Sequence, residues 1–379
     1  MSAMTRPDPI LPDYTGANLC GVVPGCLLRG PGERPRWFPR ALQEAEAVVL
    51  LLIDGLGLEQ LTPRASVAPV LSTFETVGIT SVIPSTTATA LTSLSTGASP
   101  AEHGIIGYRM SMGDQVLNSL RWGSSRGDLR RVHIPSQVQP IPPFASTAVP
   151  VVSRADLEGS AFTEAHLRGT RPQGWKVPSG IVAETAALVR SGERFVYAYY
   201  DGLDKVAHER GFGVHYDAEL AFVDWLVTAI LEALPSGTTL AITADHGQVH
   251  VGPNVVGLPA EMLDDIHHQS GEGRFRWLHA RRGRALDLLR SATEAFSDRA
   301  WVVGVEQIMD ERWFGPAGGG TVSEVVRRRF GDVALIPFAD ISFDDPLDSG
   351  PIALVCRHGS LTSAEMVVPL AACTVGAGA

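Results

Sequence analysis

Seven consecutive apolar residues, AVVLLLI from Ala47 to Ile53, end abruptly at Asp54-Gly55. An unbroken apolar run with several β-branched residues predicts a strand covered on both faces, the environment of a central strand in a parallel sheet. Open α/β sheets carry their sites at the carboxyl ends of such strands. Asp54 therefore stands where a site would be, although an aspartate before glycine serves a turn as readily.

The same ending recurs along the chain. A strand expected over Arg194–Tyr200 runs into DGLDKVAH, Asp201 to His208, and one over Thr238–Thr243 runs into Asp245-His246-Gly247. A last strand, Ile352–Cys356, leads to His358-Gly359. Asp204 and His208 are four residues apart, so on a helical turn both face one way and can hold one divalent ion. Three strands ending in Asp, two with His close by, exceed what turn chemistry alone explains.

The remaining ingredient is the stretch Ser81 to Tyr108, SVIPSTTATALTSLSTGASPAEHGIIGY. Its hydroxyls Ser85, Thr86 and Thr87 precede a helix expected over Ala88–Ser95 and stopped by Gly97. Unpaired N–H groups and the macrodipole at a helix N-terminus favour an alkoxide or a phosphate oxygen. Ser and Thr are also ordinary capping residues, so the cluster acquires meaning only beside the acids and imidazoles. His103, in the tight turn after the helix, is read as structural.

Around these elements the chain reads as an α/β fold with a mostly parallel central sheet, helices on both faces, and two insertions. Residues 1–44, rich in Pro and Gly, are expected as a surface extension, and 45–379 as a single catalytic domain. A short strand is expected over Thr80–Ile83, and helices over 180–190 and Asp217–Leu234. The first insertion, about 110–180, is expected as an irregular excursion over the sheet edge, with a short strand at Val149–Ser153. The second, about 251–340, reads as a small α+β cap with a strand at Arg274–Ala280 and helices at Ala285–Phe296 and Thr321–Arg329. Within it, His267-His268 is expected in a solvated loop. Arg274, Arg276, Arg281, Arg282 and Arg284 are expected on a solvated rim, one of them within reach of a phosphate.

A formal net charge of −10 over 379 residues argues against a nucleic-acid polymer or an anionic membrane as partner. It admits a small anionic substrate, because bound cations reverse the local sign. Cys20, Cys26, Cys356 and Cys373 lack a CxxC spacing and are expected as reduced thiols. With no apolar run of membrane-spanning length and no signal-peptide pattern at the N-terminus, the expected compartment is the cytoplasm.

Collected at the strand ends, Asp54, Asp204, His208, Asp245, His246, His358 and a hydroxyl suffice for two divalent cations. Mixed nitrogen and oxygen ligation suits zinc, with manganese as the alternative. Two such metals a few ångströms apart suit in-line displacement at phosphorus.

The order DG, PSTT…TG…EHG, D-x3-H, DHG and HG resembles the alkaline phosphatase superfamily, and within it the type I phosphodiesterase/nucleotide pyrophosphatase family. The resemblance covers roughly residues 46–109, 194–250 and 350–369. It implies a zinc site of Asp204, His208 and His358, and a second of Asp54, Asp245, His246 and the nucleophile. The family's P-x-x-T pattern, ten residues before the Gly of a TG pair, falls on Thr87, with Thr86 and then Ser85 behind it. Nucleotide pyrophosphatases have an Asn after the HG turn that donates to the phosphoryl oxygen. Tyr108 stands near that position here, and a phenol can also donate to an oxyanion. The resemblance implies hydrolysis of a phosphodiester or pyrophosphate bond in a small phosphate ester or nucleotide, through a covalent phospho- or nucleotidyl-threonine. A phosphomonoesterase or phosphonate hydrolase, drawing on Arg109 or Arg274 for the additional charge, is the alternative, and a non-catalytic metal-binding protein the rival from another class. No C-x-P-x-R sulfatase motif is present.

Overall fold

The computed structural model describes residues 6–28, 32–315, 320–348 and 354–376. In chain order its principal strands are β1 (Ala47–Ile53), β2 (Glu75–Thr80), β3 (Pro150–Arg154), β4 (Arg171–Trp175), β5 (Phe195–Tyr200) and β6 (Thr238–Thr243). They continue with β7 (Ile266–Glu272), β8 (Phe275–Ala280), β9 (Ala300–Gly304), β10 (Val333–Pro337) and β11 (Val367–Thr374). The principal helices are α1 (Thr87–Thr96), α2 (Ser179–Arg190), α3 (Gly202–Arg210), α4 (Val214–Ala233) and α5 (Ala285–Phe296).

The main sheet has seven strands in the order β2-β11-β6-β1-β5-β3-β4. Pairing is parallel from β6 through β1, β5 and β3 to β4, and β11 alone runs against its neighbours. The apolar run β1 lies in the middle, with Val49 to Ile53 fully buried. Its direct neighbours are β5 and β6, so the three Asp-terminated strands are adjacent and parallel. This adjacency brings Asp54, the Asp201–His208 segment and Asp245-His246 to one edge of the sheet.

Strand β2 lies earlier than the Thr80–Ile83 expected. It pairs on one side only and leaves most of ETVGIT in contact with solvent, so its sequence lacks the apolar signature of a central strand. The segment expected as one excursion over 110–180 divides into two parts. Residues 109–128 form a small four-stranded antiparallel ribbon, whereas β3 and β4 extend the main sheet in parallel. Residues 6–28 and 32–44 are more than a surface extension: Leu19, Val22 and Leu42 are fully buried in the main core. Their apolar residues are scattered among Pro and Gly, which hides them from a periodicity reading.

The second insertion folds as a four-stranded antiparallel sheet, β7-β8-β10-β9, covered by α5, with its own cluster of buried residues that includes Met262, Leu278, Leu288, Phe296 and Leu335. Two expectations fail there. His267-His268 is not a solvated loop but part of β7, with His268 stacked on His279 at 3.9 Å and bonded to the Ser111 hydroxyl. Nor does the Arg rim hold throughout, because Arg274 and Arg276 are fully buried. Arg274 is gripped by Glu365, at 3.0 and 2.6 Å, and Arg276 lies 3.5 Å from Asp345. Those carboxylates stand far along the chain, so the pairing leaves no local trace. The helix expected at Thr321–Arg329 shortens to Glu324–Arg327. Of the strand expected over Ile352–Cys356, residues 352 and 353 lie outside the described residues, and pairing is confined to Cys356–Arg357 against Val249–His250. No helix among the described residues is long and apolar enough to cross a membrane.

Candidate active site

At the carboxyl edge of the main sheet, Asp54 follows β1, Asp245-His246 follows β6, and α3 carries Asp204 and His208 just after β5. The His358-Gly359 turn is drawn to the hydroxyl cluster by a bridge between Ser85 and Gly359. The seven positions read from the sequence converge here. Asp54, Asp245 and His246 offer ligand atoms within 4.8 Å of one another, and so do Asp204, His246 and His358. His246 belongs to both groups, and His208 joins the second through its Nε2, 3.3 Å from Asp204 Oδ1.

Each imidazole is fixed by a main-chain carbonyl. Nδ1 of His208 donates to Cys356 O, that of His246 faces Gly247 O, and that of His358 donates to Ser85 O. This assigns the proton to Nδ1 and turns a bare Nε2 into the site, the arrangement a metal-binding histidine needs. The His246 and His358 rings stack at 3.5 Å.

The carboxylates are held by one oxygen and left open at another. Asp54 Oδ2 accepts from the Tyr199 hydroxyl at 2.5 Å, and Asp245 Oδ1 accepts from the Gly55 and His246 amides. Asp54 Oδ1 and Asp245 Oδ2 are buried with no hydrogen-bond partner. Burial, together with the neighbouring acids, pushes the carboxyls of Asp54, Asp204 and Asp245 upward. Burial holds His246 and His358 below the ordinary imidazole value. Orphaned, mutually repelling carboxylate oxygens beside neutral imidazoles are costly unless a cation satisfies them. The donor set fits divalent cations with mixed nitrogen and oxygen ligation.

The three candidate hydroxyls separate by direction. Ser85 is buried and its Oγ donates to Ser360 O at 2.7 Å, away from the acids. Thr86 is the N-cap residue of α1 and is buried on the Glu272 side. Thr87 is the first residue of α1, with Oγ1 3.1 Å from His246 Nε2. His103 lies apart, fully buried: its Nδ1 accepts from the Ile105 amide, so its Nε2 donates to Ser93 Oγ. Asp201 is engaged by Arg154 and Lys205 at 2.9 and 2.6 Å.

Two chambers meet at Thr87. One, about 260 Å³, is walled by Leu91, Phe162, Tyr197 and Tyr199 and is mostly apolar. The other, about 280 Å³, is the charged chamber, with Glu272, Arg274, Asp348 and Arg357 on its walls beside Tyr108. A larger cavity of about 630 Å³ opens at the opposite edge of the sheet, near Cys26 and Arg194, and touches none of these residues. The sequence reading missed Tyr199, Gln248, Glu272 and Arg357. Gln248, whose Nε2 donates to Asp204 Oδ1 at 2.6 Å, and Arg357 each lie beside a motif histidine, and that nearness was the available signal.

The sequence profile of the type I phosphodiesterase / nucleotide pyrophosphatase family matches residues 48–307. The chain belongs to this family. Its members are phosphoester hydrolases of the alkaline phosphatase superfamily. No curated protein matches it by sequence. Among solved structures it is similar to murine ectonucleotide pyrophosphatase / phosphodiesterase 5, at 15% identity and a TM-score of 0.61, over 86% of this chain and 87% of that one. An inactive threonine-to-alanine form of the murine protein, in complex with AMP, matches equally well. Phosphonoacetate hydrolase from Sinorhizobium meliloti, in complex with phosphonoacetate, matches at 16% identity and a TM-score of 0.63, over 88% of this chain and 90% of that one. At such identities the likeness establishes the shared alkaline phosphatase-like fold.

Proposed function

We propose that this chain is a two-metal hydrolase of phosphodiester or pyrophosphate bonds in which Thr87 attacks phosphorus. The observation that carries the reading is the Thr87 hydroxyl at the head of α1, 3.1 Å from His246 Nε2 and beside the orphaned oxygens of Asp54 and Asp245. In this reading Asp204, His208 and His358 hold one cation, and Asp54, Asp245, His246 and Thr87 hold the other. Zinc is the metal favoured by that ligation, with manganese as the alternative. Cations bound there supply Lewis acidity and lower the pKa of an alcohol otherwise too weakly acidic to attack.

The chain's own groups do the rest. The first turn of α1 directs unpaired N–H groups and the positive end of its dipole at the charge developing on phosphorus. Tyr108, on the facing wall, donates its phenol to a phosphoryl oxygen. Thr87 Oγ1 forms a bond to phosphorus as the bond to the leaving oxygen breaks. Water then cleaves the phospho- or nucleotidyl-threonine and restores the hydroxyl. The apolar chamber accepts the organic group, and the AMP-bound murine neighbour supports a small nucleotide ester. The free thiols of Cys20, Cys26, Cys356 and Cys373 fit the reducing cytoplasm.

The test is hydrolysis of bis-p-nitrophenyl phosphate and p-nitrophenyl phosphate, side by side, by zinc-loaded protein. Diester turnover should vanish on chelation and fall on the order of a thousandfold or more in Thr87→Ala. Wild-type rates in that variant would remove Thr87 from the mechanism. Turnover of the monoester alone would move the protein to the phosphatase side of the superfamily. Silence on both esters, with metal bound, would favour a metal-binding protein without catalysis.

A further inference from the structure

The buried cations around the charged chamber are almost all spoken for. Arg274 is held by Glu365, while Arg109 and Arg276 share Asp345. Arg329 donates to the carbonyls of Gly104 and Val138. Neither Arg109 nor Arg274 is therefore available to a substrate anion. Arg357 differs: it lines the chamber next to His358, and among the described residues it has no carboxylate within 4 Å and no partner for its buried Nε.

Facing it is Glu272, at the end of β7, more than nine-tenths buried and with Oε1 lacking any partner. Glu272 presses against the His358-Gly359 turn so closely that a Cβ on Gly359 would lie 2.9 Å from its Cγ. Gly359 also has φ of +124°, a conformation reserved for glycine. The cap thus reaches the site through a side chain that only this glycine admits. Burial pushes the Glu272 carboxyl up to about 8, with Thr86 and Arg276 opposing. Asp348, the other acid on this wall, lies 3.7 Å from Arg109. Arg357 is thus a guanidinium without an ion pair among the described residues, and Glu272 is a buried carboxyl bonded to Thr86 with its Oε1 unpartnered; both line the chamber that holds Thr87.

We infer that Arg357, backed by Glu272, is a specificity-determining anion subsite: it binds a second anionic group, carboxylate or phosphate, carried by the substrate next to the phosphorus above Thr87. This rests on the proposed phosphoester chemistry and narrows its substrate. The favoured substrate is bipolar, with an organic group in the apolar chamber and an additional negative charge against Arg357. A guanidinium suits both anions, because its fork matches either pair of oxygens.

The test measures binding, so that it can stand apart from turnover. Zinc-loaded Thr87→Ala protein is titrated calorimetrically with phosphonoacetate and with phosphonoacetamide, its neutral isostere. The carboxylate should bind more tightly by roughly ten- to a hundredfold, the range of a hydrogen bond to a charged group. Adding Arg357→Ala should abolish that preference and leave phosphonoacetamide binding and zinc content unchanged, whereas Arg357→Lys should retain part of it. Equal affinity for the two probes before Arg357 is changed would overturn the subsite. So would an Arg357→Ala loss that falls on both probes alike, which would mark a structural prop for His358. If Thr87-intact protein hydrolyses neither nitrophenyl ester and the probes are still distinguished through Arg357, the hydrolase reading falls and the subsite stands.

Discussion

The site is set as much by what holds its side chains as by the side chains themselves. Tyr199 occupies one oxygen of Asp54 and leaves the other open, and Gln248 holds Asp204 through Oδ1, the oxygen that faces His208. A held carboxylate presents one oxygen in a fixed direction, and losing such a support typically costs ten- to a hundredfold in metal affinity. Tyr199→Phe should therefore weaken zinc binding by about that factor while Tm in the absence of zinc stays nearly constant. Competition with a chelator of known affinity measures this, and an unchanged zinc affinity would mean that Asp54 takes no part in holding the ion. Gln248→Ala should behave alike through Asp204. The acids and imidazoles were legible in the sequence because each follows a strand. Their supports were not: Tyr199 reads as one more apolar position in β5, and its hydroxyl acquires meaning only when β1 lies alongside.

At the level of elements, legibility tracked burial on both faces. β1, β6 and α5 emerged with the boundaries expected, because a doubly covered strand and an amphipathic helix each write their environment into a residue pattern. β7 did not, since IHHQSGE buries Gln269, Ser270 and Glu272 against partners from distant segments. The loops that end β1 and β6 must also approach each other closely for Asp54 and Asp245 to meet. A Cβ on Gly247 would lie 2.1 Å from Ala364 O and 2.9 Å from Gly57 Cα, both main-chain atoms that cannot rotate aside. Gly247→Ala should consequently force the Asp245-His246 turn away from β1. The expected cost is about 1–3 kcal/mol of stability, as for other overpacked positions, together with loss of zinc binding. Urea unfolding and metal content on the same sample check both parts. A stable variant with full zinc content would show that the loops tolerate separation.

The whole molecule carries a second set of buried imidazoles outside the proposed ligand set, spread from the main domain to the cap. Burial pushes His103, His166 and His279 down to about 3, 4 and 3. Each is satisfied as a neutral ring, His279 by the Ser270 hydroxyl and by stacking on His268. An unfolded histidine takes up its proton near pH 6.5, whereas these rings resist it until the solution is far more acidic. The unfolded state therefore binds more protons over that interval. The stability these groups contribute is complete above about pH 6.5 and is lost progressively as pH falls towards their folded values. The buried acids Asp54, Asp204 and Asp245 act oppositely in metal-free protein, because their raised values favour the folded state at low pH. A single cap residue isolates the histidine effect. In metal-free protein, the loss of stability between pH 7 and pH 5 should be smaller in His279→Gln than in wild type by up to about 2 kcal/mol, the work of protonating one imidazole in the unfolded chain alone. Urea titrations of both proteins at the two pH values give the difference directly, provided that the cap unfolds together with the main domain. A single transition seen by both tryptophan fluorescence and circular dichroism would establish that cooperativity. An identical pH response in the two proteins would then mean that the folded His279 ring takes up its proton over the same interval as the unfolded chain, and that its neutral contact with Ser270 is not the one the protein maintains.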